Sequence, residues 1–258
     1  MSCCERIKFA FSKLLMECFG TFIFTLLFMI GNSMDLLIGL WILTIFLWKI
    51  SASQMNPAVT LAFMFRPDGD PKKIHFSLGI LMMGAQVLGA YLGALYIIFI
   101  NWSIYAMAPI IPGYAFFAIM QETFGTFLFV LFFKIATDER MNITNIAVLN
   151  CFTIACAYIS AREIVSGNPG SISTYGACLN PAVAIGITMT SLMRDPGTSL
   201  KWFWLYWLLP LAGSLCAVIF YRFIYLKTEI MVEKHGEPEE ANIDDMVATA
   251  KGDGILDD

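Results

Sequence analysis

Charge is what this sequence has least of. Only 14% of its 258 residues are Asp, Glu, Lys or Arg, against roughly 25% in soluble domains. The few charges are also uneven: four lie in the first thirteen residues and thirteen beyond Tyr225, leaving nineteen for the 212 residues between. A stretch of that length with about 9% charge has the composition of a membrane protein. Basic residues do not cluster and the formal net charge is −4, which excludes nucleic acid as a partner. Histidine is nearly absent, with only His75 and His235, both outside the apolar runs, and no His-Glu-x-x-His run occurs. That absence argues against an intramembrane metalloenzyme, so no catalytic residue, metal site or cofactor is expected. The seven cysteines do not form a secreted framework: Cys18, Cys151, Cys156 and Cys216 sit in apolar runs and Cys3 and Cys4 are adjacent. This is the pattern of buried reduced thiols, with the juxtamembrane pair open to S-palmitoylation. No small-residue cleavage pattern follows Arg6, Lys8 and Lys13, so the first apolar segment is expected to stay in the protein.

Long apolar runs are what the sequence does have. Residues of the AVILMFWYC set make up 58% of the chain, and its mean hydropathy is +0.71. Six stretches, 11–30, 35–50, 76–100, 117–135, 143–160 and 201–225, approach the roughly 20 helical residues needed to cross a hydrocarbon core of about 30 Å. The second and fifth are short, so helix is expected to continue into polar flanks such as Ser51 and Arg162. Two further apolar stretches, 56–65 and 180–192, reach about half that thickness at about 1.5 Å per residue and read as re-entrant half-helices. The expected fold class is an all-α membrane protein of six transmembrane helices plus two re-entrant half-helices.

Thirteen of the sixteen Lys and Arg residues fall on one side of this arrangement, and only Arg162, Arg194 and Lys201 on the other. The bias predicts that both termini are cytoplasmic. The expected organisation is a cytoplasmic N-terminus over 1–10, a channel-like domain over 11–225 and an acidic tail over 226–258, disordered or a short solvated helix. Asn101-Trp-Ser103 is then an outward glycosylation acceptor too close to the membrane to be used, and Asn142-Ile-Thr144 faces the cytoplasm.

The chain repeats itself. Glu17-Cys-Phe-Gly-Thr-Phe22 returns as Glu122-Thr-Phe-Gly-Thr-Phe127, and Asn56-Pro57-Ala58-Val59 as Asn180-Pro181-Ala182-Val183. Gly89 and Gly213 are separated by the same 124 residues as the two Asn-Pro-Ala runs. Each repeat, about 11–100 and 117–225, holds three spans, an odd number, so the second is inverted relative to the first. Asn caps helices well, and Pro at the first helical position gives up a donor that would be unpaired. Each half-helix therefore starts at its Asn. The two N-termini, each worth about half a positive charge, meet at the membrane midplane. There the Asn56 and Asn180 amides can donate to a passing solute, and the paired dipoles repel cations.

With these motifs in place, the sequence resembles aquaporins of the major intrinsic protein family. Gly84-Ala-Gln86-Val-Leu-Gly89-Ala and Trp204-Leu-Tyr206-Trp207-Leu-Leu-Pro210-Leu-Ala-Gly213 add to the likeness, which covers about 11–225. The resemblance implies one narrow pore per subunit, assembly as a homotetramer in lipid, and passive conduction of water and small neutral solutes. It implies a pore midplane at Asn56, Pro57, Ala58, Asn180, Pro181 and Ala182, with Glu17, Glu122 and Gln86 supporting the irregular loops. An ionisable group inside a span is costly, so a proton relay at Glu17 or Glu122, and with it a proton-coupled secondary transporter, is the alternative function. Departures from the family are equally informative. The filter arginine usual three residues after the second Asn is Val183 here, and the usual His before the first Asn-Pro-Ala is Gln54. By motif position the constriction is lined by Leu36, Tyr158, Ala177 and Val183, an apolar filter, with Arg162 as an alternative source of charge. Residues 163–175 look like an insertion of about ten residues relative to common members. Cys178 is placed near the pore, as a packed small residue or a mercurial site. Ala184 and the pair Tyr206 and Trp207 lean towards water-type members. The membrane implied is the plasma membrane or a vacuolar-type internal one.

Overall fold

Helix ends in this chain are set by a few polar residues at the edges of long apolar runs. The structure is a computed structural model that describes residues 3–101, 105–109, 113, 115–138, 144, 146–166 and 174–235. The first helix, α1 (Cys3–Ile30), stops before Gly31, and Asn32 opens α2 (Ser33–Ser51) with a reciprocal cap. Asn32 Oδ1 accepts from the Met34 and Asp35 amides at 2.8 and 3.0 Å, while Asp35 Oδ2 accepts from the Asn32 amide at 3.1 Å. Otherwise unpaired donors at the helix start are thereby satisfied. Then come α3 (Pro57–Met64), α4 (Phe76–Asn101), α5 (Ala115–Thr137), α6 (Ala147–Ser166), α7 (Pro181–Ser191) and α8 (Pro196–Phe220). At the start of α8, the Thr198 amide donates to Asp195 Oδ1 at 3.1 Å, and bonds from the Thr198 side chain and amide hold the Asp195 carboxyl below its usual range.

Among the described residues, six helices are long and apolar enough to cross a membrane. The shortest, α2, has 19 residues, about 28 Å. By contrast α3 and α7 have 8 and 11 residues, about 12 and 16 Å, half a crossing each. Large apolar side chains such as Ile42, Phe46, Phe99 and Phe116 are exposed, as lipid-facing positions require.

Several boundaries differ from the sequence expectation. The helix expected from residue 11 already begins at Cys3, with Glu5 in its first turn, where a carboxylate suits the macrodipole. The fifth span continues into Arg162, as expected from its short apolar run, and ends at Ser166, where Ser33 Oγ donates to Glu163 Oε1 at 2.7 Å on its polar end. The sixth starts at Pro196 instead of 201. Of the expected tail, 226–235 is helical and 236–258 lies outside the described residues, as do 102, 103, 142 and 143 of the two glycosylation-type motifs and 167–173 of the expected insertion.

Glycine sets the closest approaches. A Cβ at Gly89 on α4 would collide with the Cys18 carbonyl of α1, and one at Gly213 on α8 with the Thr123 carbonyl of α5. Cys18 and Thr123 are related by the same shift as Glu17 and Glu122. The two repeats thus use one packing device twice, small residues that let backbones touch. The loop after α3 is fastened to the carbonyl end of α5: Arg66 donates to the Thr137 hydroxyl, and Lys72 Nζ donates to the Thr137 carbonyl at 2.7 Å. Cations are favoured at that helix end.

The chain divides into two compact units, Met1–Val218 and Ile219–Asp258. In the second, a π-helical turn (Tyr221–Tyr225) leads into α9 (Leu226–His235), and the Tyr221 and Tyr225 rings stack at 5.6 Å.

Candidate functional site

The site begins with two unusual loops. Residues 52–55 join α2 to Asn56, and three of them, Ala52, Ser53 and Met55, have left-handed backbones with φ of 62°, 52° and 48°. Ahead of Asn180 the same conformation occurs at Gly176 (φ 73°) and Leu179 (φ 53°). Ala52 and Gly176, like Met55 and Leu179, are 124 residues apart, so the repeat extends to backbone dihedrals. A non-glycine residue held there costs about 1–3 kcal/mol and persists only where its surroundings over-determine it.

Glu17 and Glu122 are those surroundings. Both are fully buried. Glu17 accepts from the Gln54 and Met55 amides at 3.1 and 2.7 Å and from Gln86 Nε2 at 2.6 Å, and Gln86 Nε2 also lies 2.9 Å from Thr60 Oγ1. Glu122 accepts from the Cys178 and Leu179 amides at 2.7 and 2.8 Å. With their oxygens committed to the loops, neither carboxylate is among the residues lining the central cavity.

The left-handed turns aim the Met55 and Leu179 carbonyls across the junction of the half-helices. Asn56 Nδ2 donates to the Leu179 carbonyl at 2.8 Å, and Asn180 Nδ2 donates to the Met55 carbonyl at 2.9 Å. Their side-chain oxygens cap their own helices, Asn56 Oδ1 accepting from the Ala58 amide at 2.8 Å and Asn180 Oδ1 from the Ala182 amide at 3.0 Å. Each amide group has two N–H donors, so one per asparagine is left over. Pro57, Ala58, Pro181 and Ala182 form the first turns behind them and are buried.

Both asparagines line a cavity with Gln54, Phe24, Phe129 and Tyr158. It leaves about 20 Å³ for water centres, room for about one water molecule at a time. Phe24 and Phe129 close edge-on against Tyr158 at 5.3 and 5.1 Å, and Tyr158 donates to the Cys178 carbonyl at 2.8 Å. Of the four residues expected at the constriction, Tyr158 lines this cavity. Leu36, Ala177 and Val183 are buried and are not among its lining residues. Cys178 is buried, its thiol 3.3 Å from the Asn180 carbonyl. Tyr175, whose hydroxyl accepts from the Tyr105 amide at 3.1 Å, has its phenol pushed up by burial.

Two features escaped the sequence reading. Phe24 and Phe129 each lie seven residues after a repeated glutamate, so the repeat register itself would have paired them. Gln54 was read only as a departure from a motif. It is 97% buried, and neither amide atom has a hydrogen-bond partner. A buried amide in that condition is stable only if the cavity contents satisfy it. Among the described residues no cluster of His, Cys, Asp and Glu could hold a metal ion.

Among the described residues, six helices long and apolar enough to cross a membrane, with two half-helices whose capped N-termini meet at a narrow cavity, define an integral multi-pass membrane protein. The major intrinsic protein family model matches residues 5–221, and the chain belongs to that family. It is 28% identical over 179 residues to probable aquaporin TIP3-2 of Oryza sativa subsp. japonica, covering 67% of this chain and 59% of that protein. It is 25% identical over 188 residues to aquaporin-6 of Rattus norvegicus, covering 69% of this chain and 58% of that one. The chain thus spans about three fifths of the length of these curated relatives. The structure of the aquaglyceroporin from Plasmodium falciparum has the same fold, with a TM-score of 0.67, 18% identity, and coverage of 85% of this chain and 98% of that one.

Proposed function

We propose that this protein is a passive transmembrane channel for water and small neutral solutes such as glycerol, urea, ammonia or hydrogen peroxide. The observation that carries the reading is the donor arrangement at the cavity. Asn56 and Asn180 each keep one free N–H after capping a half-helix and crossing to the opposite loop. A solute oxygen accepts from both, while its own hydrogens find no acceptor on these two side chains. A chain of water molecules passing this point is turned so that proton hopping is interrupted. The two helix N-termini place about half a positive charge each at the same point and repel cations. On either side, Phe24, Leu40, Phe129 and Ile154 offer no polar partner, so the solute moves on. Gln54 supplies a second station with both donor and acceptor capacity.

Leu36, Tyr158, Ala177 and Val183 are proposed to narrow the path outside the asparagines, and Glu17, Glu122 and Gln86 to act as loop anchors. A proton-carrying Glu17 or Glu122 is not favoured, because each already receives two backbone amides. The channel is proposed to be non-enzymatic, to assemble as a homotetramer in the plasma membrane or a vacuolar-type membrane, and to have both termini in the cytoplasm. A tag after Asp258 that labels on intact cells would reject that orientation.

Light-scattering flux in proteoliposomes tests the function. Osmotic water flux well above that of empty vesicles, unsaturated and indifferent to a proton gradient, is expected. Asn56→Asp and Asn180→Asp place a carboxylate against the two helix ends and should admit cations. Unchanged water flux and unchanged selectivity in both folded variants would count against the assignment of the midplane.

A further inference from the structure

We propose that Arg162 on α6 supplies the fixed positive charge of the outer pathway that the second half-helix lacks at Val183, and so acts as a specificity-determining residue. This rests on the channel reading above. Three observations carry it. The first is helical register. Tyr158 faces the central cavity, and a residue four positions later lies on the same helix face about 6 Å further along the axis. On α6 that residue is Arg162, on the side away from the Ala147 end.

The second is how the side chain is held. Arg162 Nη2 donates to the Tyr175 carbonyl at 2.6 Å, and the guanidinium lies 4.7 Å above the Phe28 ring. Gly176 makes the room: a Cβ there would come within 3.2 Å of Nη2. The group is therefore fixed against the loop that leads through Ala177 and Cys178 to Asn180. Arginine is suited to this, being weakly hydrated, planar and always charged.

The third is that no carboxylate is in contact with the charge. Arg162 is half-buried, and among the described residues it has no carboxylate within 4.0 Å. Its N–H donors go to the Tyr175 carbonyl and towards the Tyr158 hydroxyl, and with five in all it keeps others for a solute oxygen. A cation approaching from this side meets Arg162 before the helix ends at Asn56 and Asn180. A neutral solute meets one polar anchor set among apolar walls.

Reconstituted full-length wild type, Arg162→Gln, Arg162→Ala and Arg162→Lys, compared for water flux, glycerol flux and sodium current, test the proposal. Gln keeps a donor for the Tyr175 carbonyl without the charge, and Lys keeps the charge without the planar fork. Expected is a sodium current raised at least about fivefold in Gln and Ala but not in Lys. The glycerol-to-water ratio should rise in Ala. Arg162→Gln that matches wild type in sodium current and solute ratio would overturn the proposal, whatever Ala does, because the residue would then only hold the loop. A wild type with no water flux would overturn the channel reading itself, and with it this role.

Discussion

The two loops that precede the half-helices share left-handed turns at two matched positions, Ala52 with Gly176 and Met55 with Leu179, and differ in chemistry. In the first repeat, residues 52–55 are pinned by Glu17, with Gln86 of α4 bridging that carboxylate to Thr60. In the second, the positions 124 residues on from Gln86 and Thr60 are Pro210 and Ala184, and neither can make such a bridge. There the support comes from α6, through Tyr158 to the Cys178 carbonyl and Arg162 to the Tyr175 carbonyl. The lining diverges at matched positions too: Gln54 puts an unpartnered amide into the cavity, while its counterpart Cys178 keeps its thiol on the Asn180 carbonyl. Symmetry is retained where geometry alone matters, at the asparagines, the prolines and the crossing glycines. It is given up at side chains in matched positions, where Gln54 faces the cavity as an amide and Cys178 turns a thiol to the backbone.

The comparison can be broken most forcefully at the shared geometry. Gly89→Ala and Gly213→Ala each drive a methyl group into a backbone carbonyl of the facing helix, where little can shift. Each should cost about 3 kcal/mol or more, read as lost monodisperse yield and a lower unfolding temperature in detergent. If one variant is tolerated, the glycine crossings are not equivalent.

Glu17→Ala and Glu122→Ala come next. Each stranded buried donor costs about 1 to 3 kcal/mol. Glu17 receives three such donors and Glu122 two backbone amides, so Glu17→Ala should unfold at the lower temperature. The reverse order would mean that the α6 contacts are the weaker support.

Gln54→Leu removes an amide that has no protein partner. Thermal stability should hold or rise, since a buried polar group is deleted without stranding another, while water flux falls several-fold. Stability lost with flux intact would assign Gln54 to the scaffold. The smallest effect is expected at Gly84→Ala in α4, where a Cβ meets nothing within 4 Å. It should change stability by less than about 1 kcal/mol, favourably, through helix propensity. It serves as the control for Gly89→Ala in the same helix.

What the sequence by itself determined is whatever depends on residue type and spacing along the chain. Six runs of membrane length, two runs of half that length, and a repeat of Glu-x-x-Gly-Thr-Phe and Asn-Pro-Ala-Val specify the helices and their pairing, because bilayer thickness and helix rise are fixed. The start of each half-helix at its Asn was equally legible, since a cap and a proline at the first helical position are local chemistry. Only the tertiary structure decided which side chains share the cavity. Phe24, Phe129 and Tyr158 come from three helices, and Met55 and Leu179 matter through their carbonyls rather than their side chains. Whether Gln54 is paired, and where Arg162 points, depend on what other segments bring within about 3 Å. That distance is settled by how helices far apart in sequence pack together, and no local pattern encodes it.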